Sequence, residues 1–451
     1  MPQHAKQGPS FGSPSDPPHP VSGRSIGKVS GVVGPARKPV IGIVILVVVV
    51  ALGVIQLTRS TGRPVATIAP TVQLGFKGVE PSLPWPSRGT AALSIGGVGL
   101  VGSTGDNNEL PIWSVAKLMT AYVVFEDHPL RSGSGGPSIN VTPSDVSVYN
   151  SDIAQKESVV AVQAGEAMSE RTALEAMLVP SGNNIAEMLG NWDAGNIGTF
   201  ARKMNATARA LNMNHTHYTD ASGVDPNTVS TAADQMIIFK KAWAIAALRH
   251  IMEMPSVNLP VAGTQYNYAY LIGHDGFLGG KTGSSGTSPA DVTGSFAFAA
   301  QKVVAGRSRL IMGVIVGEPT ATTYPLPMPP QANDPQSPVD VAEADAYNLV
   351  NAVSGYHLGT AGVPAGTVLG HVSAPWISND PAVTEIAVDF TGFPGMKVST
   401  SVVRRPLGTT VVANQVIGSI TITAGYQVKT VNIVVLRGVP PPSFGWKLTR
   451  L

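Results

Sequence analysis

Residues 111–127 read PIWSVAKLMTAYVVFED, an apolar run fit for a buried helix, yet Lys117 stands inside it three residues after Ser114. Three residues is close to one helical turn, so the two side chains share a face. A serine hydroxyl is a weak nucleophile until a base takes its proton. A lysine becomes that base when burial, or a second cation nearby, pushes its pKa toward neutrality. A serine at a helix start also lies beside unpaired backbone N–H groups, which can stabilise an oxyanion. The spacing alone is a weak signal, because Ser25 and Lys28 repeat it in SIGK. That copy has no apolar helix to dry its lysine, and a capping serine with a snorkelling lysine explains such a pair as well.

Two further strings add weight. SGN, Ser181-Gly182-Asn183, directly follows a predicted helix, SERTALEAMLVP (169–180), with Ser169 as N-cap and Pro180 as stop. Matching strings at 138 (SIN) and 256 (SVN) do not follow a helix in this way. A second hydroxyl can relay a proton, and an asparagine amide can hold a substrate carbonyl. KTG, Lys281-Thr282-Gly283, occurs once and opens a predicted strand. It offers a cation for a free carboxylate, a hydroxyl, and a glycine where a substrate backbone can lie close. Lys281 would also depress the pKa of Lys117.

S-x-x-K, S-x-N and K-T-G in this order resemble the penicillin-binding protein and serine β-lactamase superfamily. The flanks PIWSVAKLMTAYVV, LVPSGNNIAEML, DASGVDPNTVSTAADQ and FLGGKTGSSGTS are similar to low-molecular-mass D-alanyl-D-alanine carboxypeptidases, peptidase family S11, of the actinobacterial kind. The resemblance covers about residues 85–355, and the C-terminal part, ending PPPSFGWKLTRL, resembles those enzymes' second domain. It implies an α+β fold: a β-lactamase/transpeptidase-like catalytic domain, with an antiparallel sheet and a helical subdomain, followed by a small all-β domain. It implies Ser114 as the acylated nucleophile, Lys117 as general base, Ser181 as proton relay and Asn183 as substrate-orienting amide. Lys281, Thr282 and Gly283 would receive the substrate's terminal carboxylate. The backbone N–H groups of Ser114 and Ser284 would form the oxyanion hole. The implied partners are a peptidoglycan stem peptide ending in D-Ala-D-Ala and β-lactam antibiotics; no cofactor is implied. Trp113 departs from the pattern, which has a small residue there. So does an N-terminal membrane anchor where many relatives use a C-terminal amphipathic helix, of which the sequence shows none.

The rest of the chain sets the context. Residues 40–57, VIGIVILVVVVALGVIQL, carry no charge and span about 27 Å as a helix, close to a bilayer's hydrocarbon core. Lys6, Arg24, Lys28, Arg37 and Lys38 precede this run against one acid, Asp16, while only Arg59 and Arg63 follow closely. No A-x-A site follows it. This predicts a single transmembrane signal anchor with residues 1–39 as a disordered cytoplasmic tail and the remainder outside. Residues 58–84 read as a Pro-punctuated linker, 85–355 as the catalytic domain and 356–451 as the β domain. Strands are expected at both ends of the catalytic domain, with helices between, among them 198–213 and a helix over 230–248 capped by Ser230. A Pro-rich surface loop is expected over 318–338.

Composition excludes other classes. A net charge of +2 gives no basic face for nucleic acid, and without cysteine there is neither disulfide nor thiolate chemistry. The nine histidines show no metal-ligand spacing. GPSFG at 8–12 fits a nucleophile elbow but lacks the strand and helix around it. Four activities remain to separate: carboxypeptidase, endopeptidase, β-lactamase and a non-catalytic wall-binding scaffold. No E-x-x-L-N string stands downstream of Asn183, which argues against fast β-lactam hydrolysis, and a complete set of six mechanistic side chains argues against the scaffold.

Overall fold

The computed structural model describes residues 38–69, 72–78, 82–131, 133–284, 292–320 and 337–450. The N-terminal tail and most of the expected Pro-rich loop lie outside these residues. The chain forms two compact units, Met1–Thr61 with Pro442–Leu451, and Gly62–Pro441.

The first unit is built on helix α1, Lys38–Thr58. Its stretch Val40–Thr58 is long and apolar enough to cross a membrane, with mean hydropathy 3.1 and no burial within the protein. The last turn of α1 meets the C-terminus: Arg450 donates to the Gln56 carbonyl at 2.8 Å, and Gln56 donates to the Arg450 carbonyl. A six-residue helix, Phe444–Thr449, stands here where no C-terminal helix was expected. Ser443 caps it, accepting from the Trp446 N–H at 3.2 Å, a local signal that three preceding prolines obscure.

The second unit contains a five-stranded antiparallel sheet. Its strands are β2 (Thr90–Ile95), β3 (Gly99–Thr104), β4 (Phe277–Ser284), β5 (Thr293–Val304) and β6 (Arg307–Pro319), in the order β4-β5-β6-β2-β3. Side chains alternate across it. Phe296 and Phe298 on β5 face one core with Phe277, at ring-centroid distances of 5.5 to 6.4 Å. A glycine at 313 makes room for them, because a Cβ there would lie 2.1 Å from the Phe298 ring. Helix α7 (Pro338–Ser354) seals that core with Ala342, Ala346 and Leu349. Ala297 and Ala299 face the opposite way, into the larger core of the helical half.

That half contains α2 (Lys117–Asp127), α3 (Glu170–Leu178), α4 (Asn183–Ala194), α5 (Ile197–Ala210) and α6 (Ala232–Ala244). Ser169 caps α3 as expected, accepting from Thr172 N–H at 3.1 Å. The helix expected over 230–248 differs. Thr231, not Ser230, is the N-cap of α6, and Ile245 adopts an extended backbone that separates α6 from a further helix, Ala246–Met252. Ser230 is instead held in a two-residue pairing with Leu110, and its hydroxyl lies 2.7 Å from that of Thr216.

The C-terminal region is all-β, with its own core around Phe390, Ile420 and Ile433. Its six-stranded sheet begins with β1 (Val65–Ile68), inside the stretch read as a linker. Val65 pairs with Ser373 and Ile68 with Gly370. Four residues between prolines are too short for a periodic signal, and their partners lie some 300 positions away in sequence, so prolines dominated the reading. The β region touches the five-stranded sheet at the β2–β3 turn, where Tyr426 N–H donates to the Val98 carbonyl at 3.1 Å.

Phe298→Ala removes the centre of the sheet–α7 core. It should destabilise the second unit by about 3–5 kcal/mol, read as a lowered urea midpoint.

Candidate active site

The chain turns sharply into Ser114. Trp113 has φ 51°, a left-handed conformation uncommon for a bulky residue. Residues Trp113–Ala116 then form a tight 3-10 turn, and α2 begins only at Lys117. Ser114 therefore lies one tight turn ahead of the α-helix. The Trp113 carbonyl packs so closely on Gly223 that a Cβ there would lie 1.9 Å from it. The Trp113 indole points the other way and donates to the Thr293 hydroxyl at 2.8 Å.

Lys117 is fully buried. Its Nζ lies 2.7 Å from Ser114 Oγ, 2.6 Å from Asn183 Oδ1, 3.1 Å from the Ser222 carbonyl and 3.4 Å from Ser181 Oγ. Burial lowers its pKa to about 7, against the opposing pull of Asp220, then Glu157, then Asp152. Asn183 opens α4, and its Nδ2 donates to Glu157 at 2.9 Å, which fixes which face of the amide meets the lysine. Ser181 is the second strained position, with φ 62°.

Lys281 is also buried, and its Nζ donates to Ser181 Oγ at 3.0 Å and to the Thr282 carbonyl at 2.9 Å. Its pKa falls well below the usual value, through burial first and the Lys117 charge second. The expected influence of Lys281 on Lys117 thus appears with the roles reversed: the charge of Lys117 depresses Lys281. The KTG string closes β4 and does not open it, because the turn at Gly273–Gly276 starts the strand at Phe277. Gly283 brings β4 against the Ser114 backbone: a Cβ there would lie 2.9 Å from the Ser114 nitrogen. Ser284, next along, is exposed at the strand end.

Two cavities flank Ser114. One, of about 210 Å³, is lined by Ser181, Thr282, Gly283, Tyr268 and Tyr270 among others. The other, of about 380 Å³, is lined by Trp113, Glu157, Asn183, Gly223 and Val224 among others. All eight residues expected at the site are thus brought together. Sequence reasoning missed Glu157, Asp220, Ser222, Tyr268 and Tyr270. Asp220 had a usable signal: D-x-S-G-x-D describes a turn in which one carboxylate accepts from several backbone N–H groups, here those of Gly223 and Asp225 at 2.9 Å each. Glu157 had none.

A dried Ser–Lys pair, backed by a second Ser–Lys pair, is thus set between helices and a five-stranded antiparallel sheet. Residues 100–314 match the family model of peptidase S11, D-alanyl-D-alanine carboxypeptidase. The chain is 29% identical over 201 residues to the D-alanyl-D-alanine carboxypeptidase DacB2 of Mycobacterium tuberculosis, covering 43% of this chain and 65% of the relative. It is 30% identical over 137 residues to a D-alanyl-D-alanine endopeptidase of Escherichia coli, covering 30% of this chain and 41% of that one. The chain thus spans less than two thirds of the length of these relatives. Penicillin binding protein 5 from Haemophilus influenzae shares the fold, with a TM-score of 0.55 at 18% identity, covering 80% of this chain and 99% of that structure.

Lys117 should titrate with a midpoint near 7, well below the ordinary lysine value of about 10.4. Lysine-selective isotope labelling and NMR, with Lys117→Arg for assignment, gives the measurement. A midpoint above 9 removes the amine as a base at neutral pH.

Proposed function

We propose that this protein is a membrane-anchored serine D-Ala-D-Ala carboxypeptidase that removes the terminal D-alanine from peptidoglycan stem peptides. The observation that carries the reading is the 2.7 Å approach of the Ser114 hydroxyl to a lysine amine whose pKa is lowered to about 7. Ser114 Oγ attacks the penultimate carbonyl carbon while Lys117 Nζ takes its proton. The N–H groups of Ser114 and Ser284 hold the developing oxyanion. Collapse breaks the C–N bond, and the proton on Lys117 returns through the Ser181 hydroxyl to the departing D-alanine nitrogen. A water then hydrolyses the ester, its proton passing to Lys117 and on to Ser114 Oγ.

The smaller cavity suits the leaving residue, with the Thr282 hydroxyl facing its carboxylate. Lys281 supplies charge from behind, through Ser181. An arriving carboxylate raises the Lys281 pKa, so binding takes up a proton. In the larger cavity Asn183 orients the stem peptide. A β-lactam presents the same carboxylate and acyl carbon and should form a lasting ester at Ser114. Helix α1 serves as the anchor, and the excess of Lys and Arg ahead of it supports a cytoplasmic N-terminus with the catalytic unit outside. An endopeptidase reading keeps the same chemistry and is favoured by the names of the E. coli and Pseudomonas aeruginosa relatives, at 30% and 34% identity.

The test is D-alanine release from a D-Ala-D-Ala-terminated pentapeptide. Ser114→Ala should abolish it, and Lys117→Ala should lower it by about 10²–10⁴-fold. Release that survives Ser114→Ala refutes the nucleophile. Cleavage of cross-linked dimers without release from the pentapeptide favours the endopeptidase.

The acylation rate should fall about tenfold per pH unit below 7. The sign follows from the base: protonation at lower pH removes the neutral amine. Labelled-penicillin acylation between pH 5 and 9 reads this out, and a flat profile contradicts it.

A further inference from the structure

The larger cavity beside Ser114 contains a carboxylate oxygen to which the reaction gives no task. Glu157 on its wall is half-buried, and one of its oxygens accepts from Asn183 Nδ2 at 2.9 Å. Among the described residues, no cation forms an ion pair with this carboxylate, and no other hydrogen bond reaches its side chain. The wall behind it is acidic. Asp220, Glu157 and Asp152 act together on Lys117. The same three act on the Glu187 carboxyl, whose pKa rises to about 7 through burial first and these neighbours next.

Two further walls of this cavity are apolar and held in place. The Trp113 ring is tied through its indole N–H to the Thr293 hydroxyl at 2.8 Å. Val224, 38% exposed, stands between Gly223 and Asp225, whose N–H groups both donate to Asp220 at 2.9 Å. An entering chain thus meets apolar surface at Trp113 and Val224 and negative charge at Glu157, and none of the three needs ordering on binding. Lys156 borders the same cavity, but it is exposed to solvent, where a charge is screened far more than a half-buried one.

We propose that the larger cavity selects substrates in which the residue preceding the D-Ala-D-Ala pair carries an aliphatic side chain ending in a primary ammonium group. The inference rests on the carboxypeptidase reading of Ser114 and adds a substrate class to it. Ser114 lies between the two cavities, and the smaller one takes the departing residue, so the acyl side of the substrate enters the larger one. Methylene groups cover Trp113 and Val224, and the terminal ammonium donates to the unoccupied oxygen of Glu157. A neutral side chain leaves that carboxylate without a partner. A side chain ending in a carboxylate meets like charge there.

The probes are Nα-acetyl-Xaa-D-Ala-D-Ala peptides in which Xaa is lysine, norleucine or 2-aminoadipate, given to the full-length protein in detergent. D-alanine release should show kcat/KM about fivefold higher for lysine than for norleucine, and lowest for 2-aminoadipate. Glu157→Gln keeps an oxygen for Asn183 and removes the charge, so it should bring the lysine-to-norleucine ratio down to about one. The ratio compares two substrates on one enzyme, so a change in the Lys117 base cancels from it. Lys156→Ala should keep the preference for lysine. Added salt should shrink the wild-type ratio, a readout that needs no variant. A wild-type ratio of one overturns the proposal, and so does a ratio that persists in Glu157→Gln or does not respond to salt. Preference for 2-aminoadipate assigns the cavity to an anion at Lys156 and overturns it too. Absence of D-alanine release from all three peptides refutes the reaction at Ser114 instead, so the two failures are told apart.

Discussion

A lysine amine kept out of water is the constraint on which this molecule turns. In an apolar interior an ammonium group loses its hydration, and its pKa falls. Three carboxylates oppose the fall, and their distance from Nζ decides how far it goes. Asp220 is fixed by its own turn and Glu157 by Asn183, so neither is free to approach and recharge the amine. The helical half of the protein is what makes this arrangement durable. Lys117 comes from α2, Asn183 from α4 and the Ser222 carbonyl from the loop after α5, and one continuous core packs all three supports.

Backbone strain concentrates at the same place. Trp113 and Ser181 both sit in left-handed conformations, each costing on the order of 1–3 kcal/mol. Such positions persist only where their surroundings leave no alternative. At Trp113 the carbonyl is wedged over Gly223, and the indole is tied to Thr293, so the main chain is pinned from two sides. The consequence is that the Ser114 hydroxyl and its backbone N–H are aimed together, one at the lysine and the other beside Gly283. A bulky residue before Ser114, unexpected in the sequence, therefore has a structural use: its side chain ties the strained turn to β5.

What could be read from the sequence was whatever is local. Ser114–Lys117, Ser181–Asn183 and Lys281–Gly283 are three short strings, each complete within one turn or strand; SGN follows its helix as expected, while KTG lies at the end of its strand and not at the start. The caps of α3 and the hairpin between β5 and β6 are local as well. The 3-10 turn at Ser114 was not distinguishable, because one turn of either helix gives the same apolar spacing. Glu157, Asp220 and the tyrosine wall act through neighbours brought by folding from elsewhere in the chain. Val65–Ile68 is the extreme case: a strand by virtue of its partner alone.

The two lysines must be considered as one titrating system. Both amines lie within hydrogen-bond reach of a single hydroxyl, Ser181 Oγ, at 3.4 and 3.0 Å. Two full charges so close, in so dry a place, repel strongly, so the empty site holds fewer protons than two ordinary lysines would. Burial lowers the pKa of both amines; Asp220 leads the carboxylates that pull Lys117 back up, while the charge of Lys117 lowers Lys281 further. A carboxylate arriving beside Thr282 stabilises a proton on Lys281. The newly charged Lys281 then pushes the Lys117 pKa down. On the proposed carboxypeptidase reading, an anionic ligand thereby favours the neutral form of the Lys117 amine, a proton placement that no single hydrogen bond at the site would supply.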